Sequence, residues 1–315
     1  MAMVYSATLH TLPIELIYRI LDHLDVPTIL LSFYGVCTRF NQMINTYNRF
    51  KTCTEIKLSY EKITNETLKY LLYPLKTSMT ITKLNLDENK IGAQGAKYLA
   101  NALQNDMVLE DLTLTNNNIG NQGAEYIADA LKINTTLKKL NLAKNKIGHT
   151  GAQCLANALE VNTTLEDLCV NANDMGSQGA EYFANVLKTN KTLIEFHLGW
   201  ANIGYEGAQH FVDTLKINTT LRELDLGGND IGDIGAHVLV SVLLRRFNTT
   251  LEILAIDNNR ISTGKKRLIH NLLKNTSIRV YAHDQDDFHS SSAVSPFMQT
   301  QSSGIEFDSV DECWL

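Results

Sequence analysis

Residues 109–136 read LEDLTLTNNNIGNQGAEYIADALKINTT, and residues 137–164 read LKKLNLAKNKIGHTGAQCLANALEVNTT. Laid one above the other, the two strings agree at the leucines of the first third, at one asparagine, at two glycines and at the small residues behind them. The same 28-residue unit opens at Ile81, again at Leu165, Leu193 and Leu221, and more loosely at Leu251. A fixed period of this size marks a stacked architecture, in which a unit buries its apolar face only against its neighbours.

Each position in the unit has a physical reason. Leu112 and Leu114 alternate with polar residues and predict one short strand with its apolar side inward. Asn117 follows three residues later, where a side-chain amide can satisfy the backbone of a turn buried between coils. Its equivalents are Asn89, Asn145, Asn173, Asn229 and Asn259. Ile119 plugs the core below that turn, and Gly120 and Gly123 permit a tight bend and a close backbone approach. Ala124, Ile127, Ala128 and Leu131 then fall at helical spacing. Strands pack about 4.8 Å apart and helices about 8–10 Å apart, so the stack must curve with its strands inside. The expected fold is α/β: a curved solenoid with a concave parallel sheet and convex helices.

Written as L-x-x-L-x-L-x-x-N-x-I-G-x-x-G-A-x-x-L-A-x-A-L, the unit resembles the long leucine-rich repeats of the ribonuclease-inhibitor type. About a dozen positions recur in phase. Thr52 to Thr80 reads as a degenerate first coil, since Ile56 and Leu58 precede Leu84 and Leu86 by 28 residues. There Glu61 replaces the asparagine and Thr67 the second glycine. A final strand is expected at Ile278–Val280, which places the horseshoe at residues 52–281.

Composition is that of an ordinary water-exposed protein, 44% hydrophobic and 20% charged. The net charge is −6, but residues 282–315 hold seven acids and no Lys or Arg. The repeats are therefore close to neutral, with no basic field that would recruit nucleic acid. Five scattered cysteines, never paired as C-x-x-C, fit a reducing compartment and free thiols. No signal peptide and no membrane-spanning run is read, so the expected location is cytoplasmic or nuclear. Seven N-x-T/S triplets occur, six of them at one repeat position between helix and next strand. That periodicity favours a turn role over glycosylation.

Residues 1–8 and 282–315 lack periodicity and are expected to be disordered. Residues 9–51 have a different character. Pro13 suits a first helical position, and Leu16, Ile17, Ile20, Leu21 and Leu24 form a wide apolar stripe. Asp25-Val26-Pro27 ends that helix. A second helical stretch runs through Ile29, Leu30 and Phe33, and a third carries Phe40, Met43 and Ile44. This stretch resembles an F-box: Leu12, Pro13, Glu15, Leu16, Ile17, Ile20, Leu21, Leu24 and Asp25 match its opening pattern. Val36, Cys37 and Phe40 match its later V-C-x-x-[WF] element. A unit of about 40 very apolar residues cannot bury its own surface and needs a partner.

The fifth regular coil departs from the frame. Its F-H-L-G-W-A-N-I-G puts Ala201 where the asparagine belongs, and the amide is read as shifted to Asn202. Trp200 beside it either contributes to an interface or packs over the Ala201 defect. Between the sixth and seventh coils, LLRRFNTT inserts two residues that would lengthen the outer helix.

No phosphate-cradling, dinucleotide, metalloprotease or nucleophile-elbow motif is present. The informative surface is the concave face, where residues flanking the central strand position change from coil to coil. The candidate substrate-binding residues are Asp111, Thr113, Lys139, Asn141, Asp167, Cys169, Glu195, His197, Trp200 and Asp225, centred on His197 and Trp200. No cofactor, catalytic residue or metal site is expected.

The combined resemblance implies a substrate-recognition adaptor of a cullin–RING ubiquitin ligase. It implies that Leu12, Pro13, Leu16, Ile17, Ile20, Leu21, Leu24, Val36 and Cys37 bind a Skp-family linker, while the concave face binds a protein substrate. No nucleic-acid or membrane partner is implied. Two alternatives stand beside it. One is a GTPase activator of the Ran-activating type, which shares such repeats and an acidic tail but needs the N-terminal coil that the F-box here replaces. The other is a non-catalytic scaffold whose first helices only cap the stack.

Overall fold

The computed structural model describes residues 14–24, 28–29, 52–77, 80–104, 108–244, 250–274 and 276–282. Leu12, Pro13, Val36 and Cys37, the side chain of Ile20, residues 1–8 and everything from 283 onward lie outside the described residues, as does the insertion at 245–249.

One parallel sheet runs through the chain in sequence order. Its strands are β1 (Glu55–Lys57), β2 (Lys83–Asn85), β3 (Asp111–Thr113), β4 (Lys139–Asn141), β5 (Asp167–Cys169), β6 (Glu195–His197), β7 (Glu223–Asp225), β8 (Ile253–Ala255) and β9 (Arg279–Tyr281). The helices given in full by the described residues are α1 (Ile14–Asp22), α2 (Asn65–Thr77), α3 (Gly92–Leu103), α4 (Gly120–Leu131), α5 (His149–Leu159), α6 (Gly176–Leu187), α7 (Gly204–Ile217), α8 (Gly232–Leu244) and α9 (Thr263–Leu273). From α2 to α9 they alternate with the strands, each packing on the next.

Register follows the 28-residue period. Leu84 pairs with Leu112, Leu112 with Leu140, and Leu140 with Leu168. The degenerate first coil joins in the same register, Ile56 against Leu84. The last strand is one residue later than expected, Arg279–Tyr281, because pairing with β8 places Val280 opposite Leu254. These central residues from Ile56 to Leu254 are buried, while the residues on either side face the hollow.

Two asparagine ladders tie the coils together. In the first, the Asn145 side chain donates to the carbonyls of Leu114, Leu142 and Ala143 at 2.8, 3.0 and 3.0 Å. Its Oδ1 accepts from the Asn117 and Ile119 amides at 2.9 and 3.3 Å. In the second, Asn134, Asn162, Asn190 and Asn218 are buried and donate to Leu103, Leu131, Leu159 and Leu187 carbonyls at 2.7–2.9 Å. These four triplet asparagines therefore serve the turn, and their amides have no room for a glycan.

Helices approach closely where the second glycine of the unit sits. A Cβ on Gly123 would run into the Ile119 side chain and come within 3.1 Å of the Ala96 Cβ.

The fifth coil differs from the expectation. The amide is not moved to Asn202, which is exposed at φ 57° and donates to the exposed Asp174 at 3.3 Å. The slot is fixed by its distance from the strand, so Ala201 fills it, fully buried. The ladder is interrupted there, and the Met175 amide turns to the Asn173 carbonyl at 2.9 Å. Aromatic residues fill the neighbouring core: Phe196 packs against Phe183 and Phe211 with ring centroids 4.9 and 6.4 Å apart.

At the N-terminal end, Ile17, Leu21 and Ile29 are buried in the same hydrophobic cluster as Ile56 and Leu58, and Leu24 packs against it. Leu16, on the other side of α1, is 44% exposed. Among the described residues, no helix is long and apolar enough to cross a membrane.

Candidate functional site

The strands present two rows of side chains to the hollow. The first row runs Lys83, Asp111, Lys139, Asp167, Glu195, Glu223 in register across β2–β7. The second runs Asn85, Thr113, Asn141, Cys169, His197, Asp225. All the expected concave residues except Trp200 lie in these rows, so the structure brings them onto one surface. Trp200 lies in the turn after β6.

The first row begins with alternating charge and ends without it. Lys139 Nζ pairs with Asp167 Oδ2 at 3.2 Å, and beyond it Asp167, Glu195 and Glu223 stand next to one another. Like charges directly opposite across strands repel. Glu223 bears the consequence: its partial burial, with Glu195, Asp167 and Asp225 close by, pushes its carboxyl up to about 7. Burial likewise raises Asp167, against the pull of Lys139, and Asp111, against Lys83 and Lys139.

The second row is drier. Asp225 is only 5% exposed. Its Oδ1 accepts the Gly227 amide at 2.8 Å and its Oδ2 accepts from Asn171 Nδ2 at 3.2 Å. Asn171 Oδ1 in turn accepts the Gly199 amide at 2.6 Å. A Cβ on Gly199 would lie 3.1 Å from Asp225 Oδ2, so the glycine makes room for the buried carboxylate. Desolvation raises Asp225 despite the Gly227 amide, His197 and Asn171, which favour its charged form.

His197 is nearly buried between Asp225 on β7 and the Asp167–Glu195 pair, with Nε2 3.6 Å from Asp167 Oδ1. Burial holds this imidazole below its ordinary value, outweighing Asp225 and Glu195. Cys169, half-buried on the adjacent strand, is a poor nucleophile, since desolvation pushes its thiol up to about 12.

Trp200 takes a left-handed conformation, φ 55°, and stays 48% exposed. Its indole lies against Gly228, where an added Cβ would collide with Cδ2 and Cε2. What it covers is thus the next coil, and its outer side remains open.

Two members of this surface were missed as site residues. Glu223 had a signal, since 28-residue spacing aligns it with Glu195 and Asp167. Asn171 had none, because its link to Asp225 spans two coils.

Six segments match the model of a leucine-rich repeat family: 77–100, 105–128, 134–156, 161–184, 189–212 and 218–240. No curated protein matches the chain. Among solved structures, the tropomodulin C-terminal domain of Caenorhabditis elegans is similar at 16% identity and a TM-score of 0.41, over 48% of this chain and 92% of that one. Actin-Binding Site 2 of leiomodin-1 is similar at 20% identity and a TM-score of 0.32, over 65% of this chain and 85% of that one. Between residues 77 and 240, this chain is a run of six leucine-rich repeats.

Proposed function

We propose that this chain is a non-catalytic receptor whose concave face holds a protein, and that it serves as the substrate-recognition adaptor of a cullin–RING ubiquitin ligase. One observation carries the receptor reading. The central strand residues and ladder asparagines repeat almost unchanged, whereas the second concave row changes at every coil and the first passes from alternating charge to a run of acids. Such a surface recognises by a pattern of side chains held at fixed spacing on a rigid sheet.

The adaptor role rests on segment 9–51, with its opening from Leu12 to Asp25 and its Val36-Cys37-x-x-Phe40 element. Exposed Leu16 supports it, as an apolar side chain left outward on a helix whose Ile17 and Leu21 are buried. The chain would do no bond chemistry. Holding a substrate beside a ubiquitin-loaded enzyme raises their effective concentration, and the transfer belongs to the other subunits.

The test is capture of a purified Skp-family linker by the full chain. Wild type captures the linker, while Leu16→Asp and the Leu12→Ala, Pro13→Ala double variant lose it without a change in melting temperature. Failure of the wild-type chain to capture any linker overturns the adaptor reading and leaves the receptor reading standing. The burial of Ile17, Leu21 and Ile29 in the repeats' own cluster favours a second reading, in which these helices cap an otherwise independent scaffold. In that case Leu16→Asp changes no interaction.

A further inference from the structure

The carboxylates that crowd the end of the first row are only partly offset by cations: Lys139 pairs with Asp167, and Arg279 acts on Glu223. Asp167, Glu195 and Glu223 occupy three successive strands in register. Lys139 reaches only the first, at Asp167 Oδ2. A row of like charges works against folding, and sequences keep such local conflicts where function requires them. In the adjacent row His197 points Nε2 toward this group.

The distances are those of a coordination set. One carboxylate oxygen each of Asp167 and Glu195 and one ring nitrogen of His197 all lie within 4.8 Å of one another. The His197 Nε2 to Asp167 Oδ1 separation, 3.6 Å, is too long for a hydrogen bond. It is close to the separation of about 3.4 Å imposed on two ligands that share a tetrahedral zinc at about 2.0–2.1 Å. Lys139 holds the other Asp167 oxygen and so turns Oδ1 toward the histidine. On the far side of His197 stands Asp225, itself fixed by Gly227 and Asn171. A carboxylate beside a ligating imidazole is the usual outer support of a metal-bound histidine.

We infer that Asp167, Glu195 and His197 form a divalent transition-metal site, suited to Zn²⁺, on the concave face between β5 and β6. Two carboxylates and one imidazole match the hardness of zinc, and three protein ligands leave a fourth position open toward the hollow. A ligand from a bound protein can occupy that position, so the ion would add a coordination bond to recognition. The site itself is complete without any partner.

The test uses the full chain, stripped of metal, with ZnCl₂ as the probe at pH 7.5. Titration calorimetry is expected to give binding in the micromolar range or tighter that involves one ion per chain at this site, and Zn²⁺ raises the melting temperature. Glu195→Gln and His197→Gln each weaken that binding at least tenfold and abolish the melting shift. Glu195 is part-exposed, so its variant keeps the fold even should the histidine variant not. A His283→Gln, His289→Gln double variant, which removes the two histidines beside Asp284, Asp286 and Asp287 in the acidic C-terminal segment, binds as wild type does. No heat and no melting shift up to 1 mM Zn²⁺, or unchanged binding by the Glu195 variant, overturns the assignment. Because no linker or substrate enters the experiment, its failure is distinct from failure of the adaptor reading.

Discussion

The indole of Trp200 rests on Gly228, the residue that holds the same place one coil further on. Both positions are left-handed, φ 55° and 65°, because the coil's turn requires it whatever the side chain. The indole can lie there because its neighbour has no Cβ to obstruct the ring.

Gly228→Ala should therefore be costly in two ways, by a strained backbone and by displacement of the indole. We expect a loss of about 1–2 kcal/mol in urea denaturation. Trp200 emission should shift to the red, read as a difference against Trp200→Phe. Unchanged stability and emission would show that the contact does not hold the ring.

Trp200→Ala should behave differently. It removes a half-exposed ring and leaves the buried Ala201 slot alone, so the melting temperature should barely move. Binding to a protein captured on the concave face should fall at least tenfold, as for an aromatic anchor. A melting loss of several degrees would make the ring a packing element of the stack.

The interrupted ladder gives a comparison within one molecule. Asn145→Ala would strand the Leu114 carbonyl and the Asn117 and Ile119 amides in a buried turn, while the Leu142 and Ala143 carbonyls keep Asn173 Nδ2 and the Asn116 amide, and should cost about 3 kcal/mol. Asn202→Ala, at the position that sequence alone makes the substitute, should change stability by less than about 0.5 kcal/mol, since that side chain is exposed. Urea midpoints of the two variants decide the matter. Equal losses would mean that Asn202 does carry the ladder.

This contrast shows what could be read from the letters. The period alone gave the strand register, since each Leu is matched to the Leu 28 residues later, and it placed Asp167, Glu195 and Asp225 on one face. It also gave the second ladder's turn position. It could not show that the slot at 201 belongs to a place rather than to an amide, because that place is defined by hydrogen bonds from the coils on either side. Nor could the wide stripe on α1 reveal that Ile17 and Leu21 turn inward while Leu16 faces out: several helix rotations bury a stripe of that width equally well. The approach of His197 to Asp167 is a diagonal between rows, set by side-chain conformations that a one-dimensional period does not encode.

Glu223 makes the acidic end of the sheet measurable through pH. Its folded carboxyl is pushed up to about 7 from an ordinary 4.5, chiefly by burial and then by Glu195, Asp167 and Asp225. The folded state therefore binds more protons than the unfolded chain between these values, and stability falls as pH rises from 4.5 to 7. Above 7 the penalty is fully present and constant. His197, held low, acts in the opposite direction below pH 6.5, so the comparison must be between variant and wild type at each pH. Glu223→Gln removes the penalty. Because the side chain is only half-buried, solvent screening reduces the effect to about 1 kcal/mol. In EDTA, urea midpoints should show the variant more stable than wild type at pH 8 and level with it near pH 4.5, and a gap that did not widen with pH would mean that Asp167, Glu195 and Glu223 do not repel one another in the folded sheet.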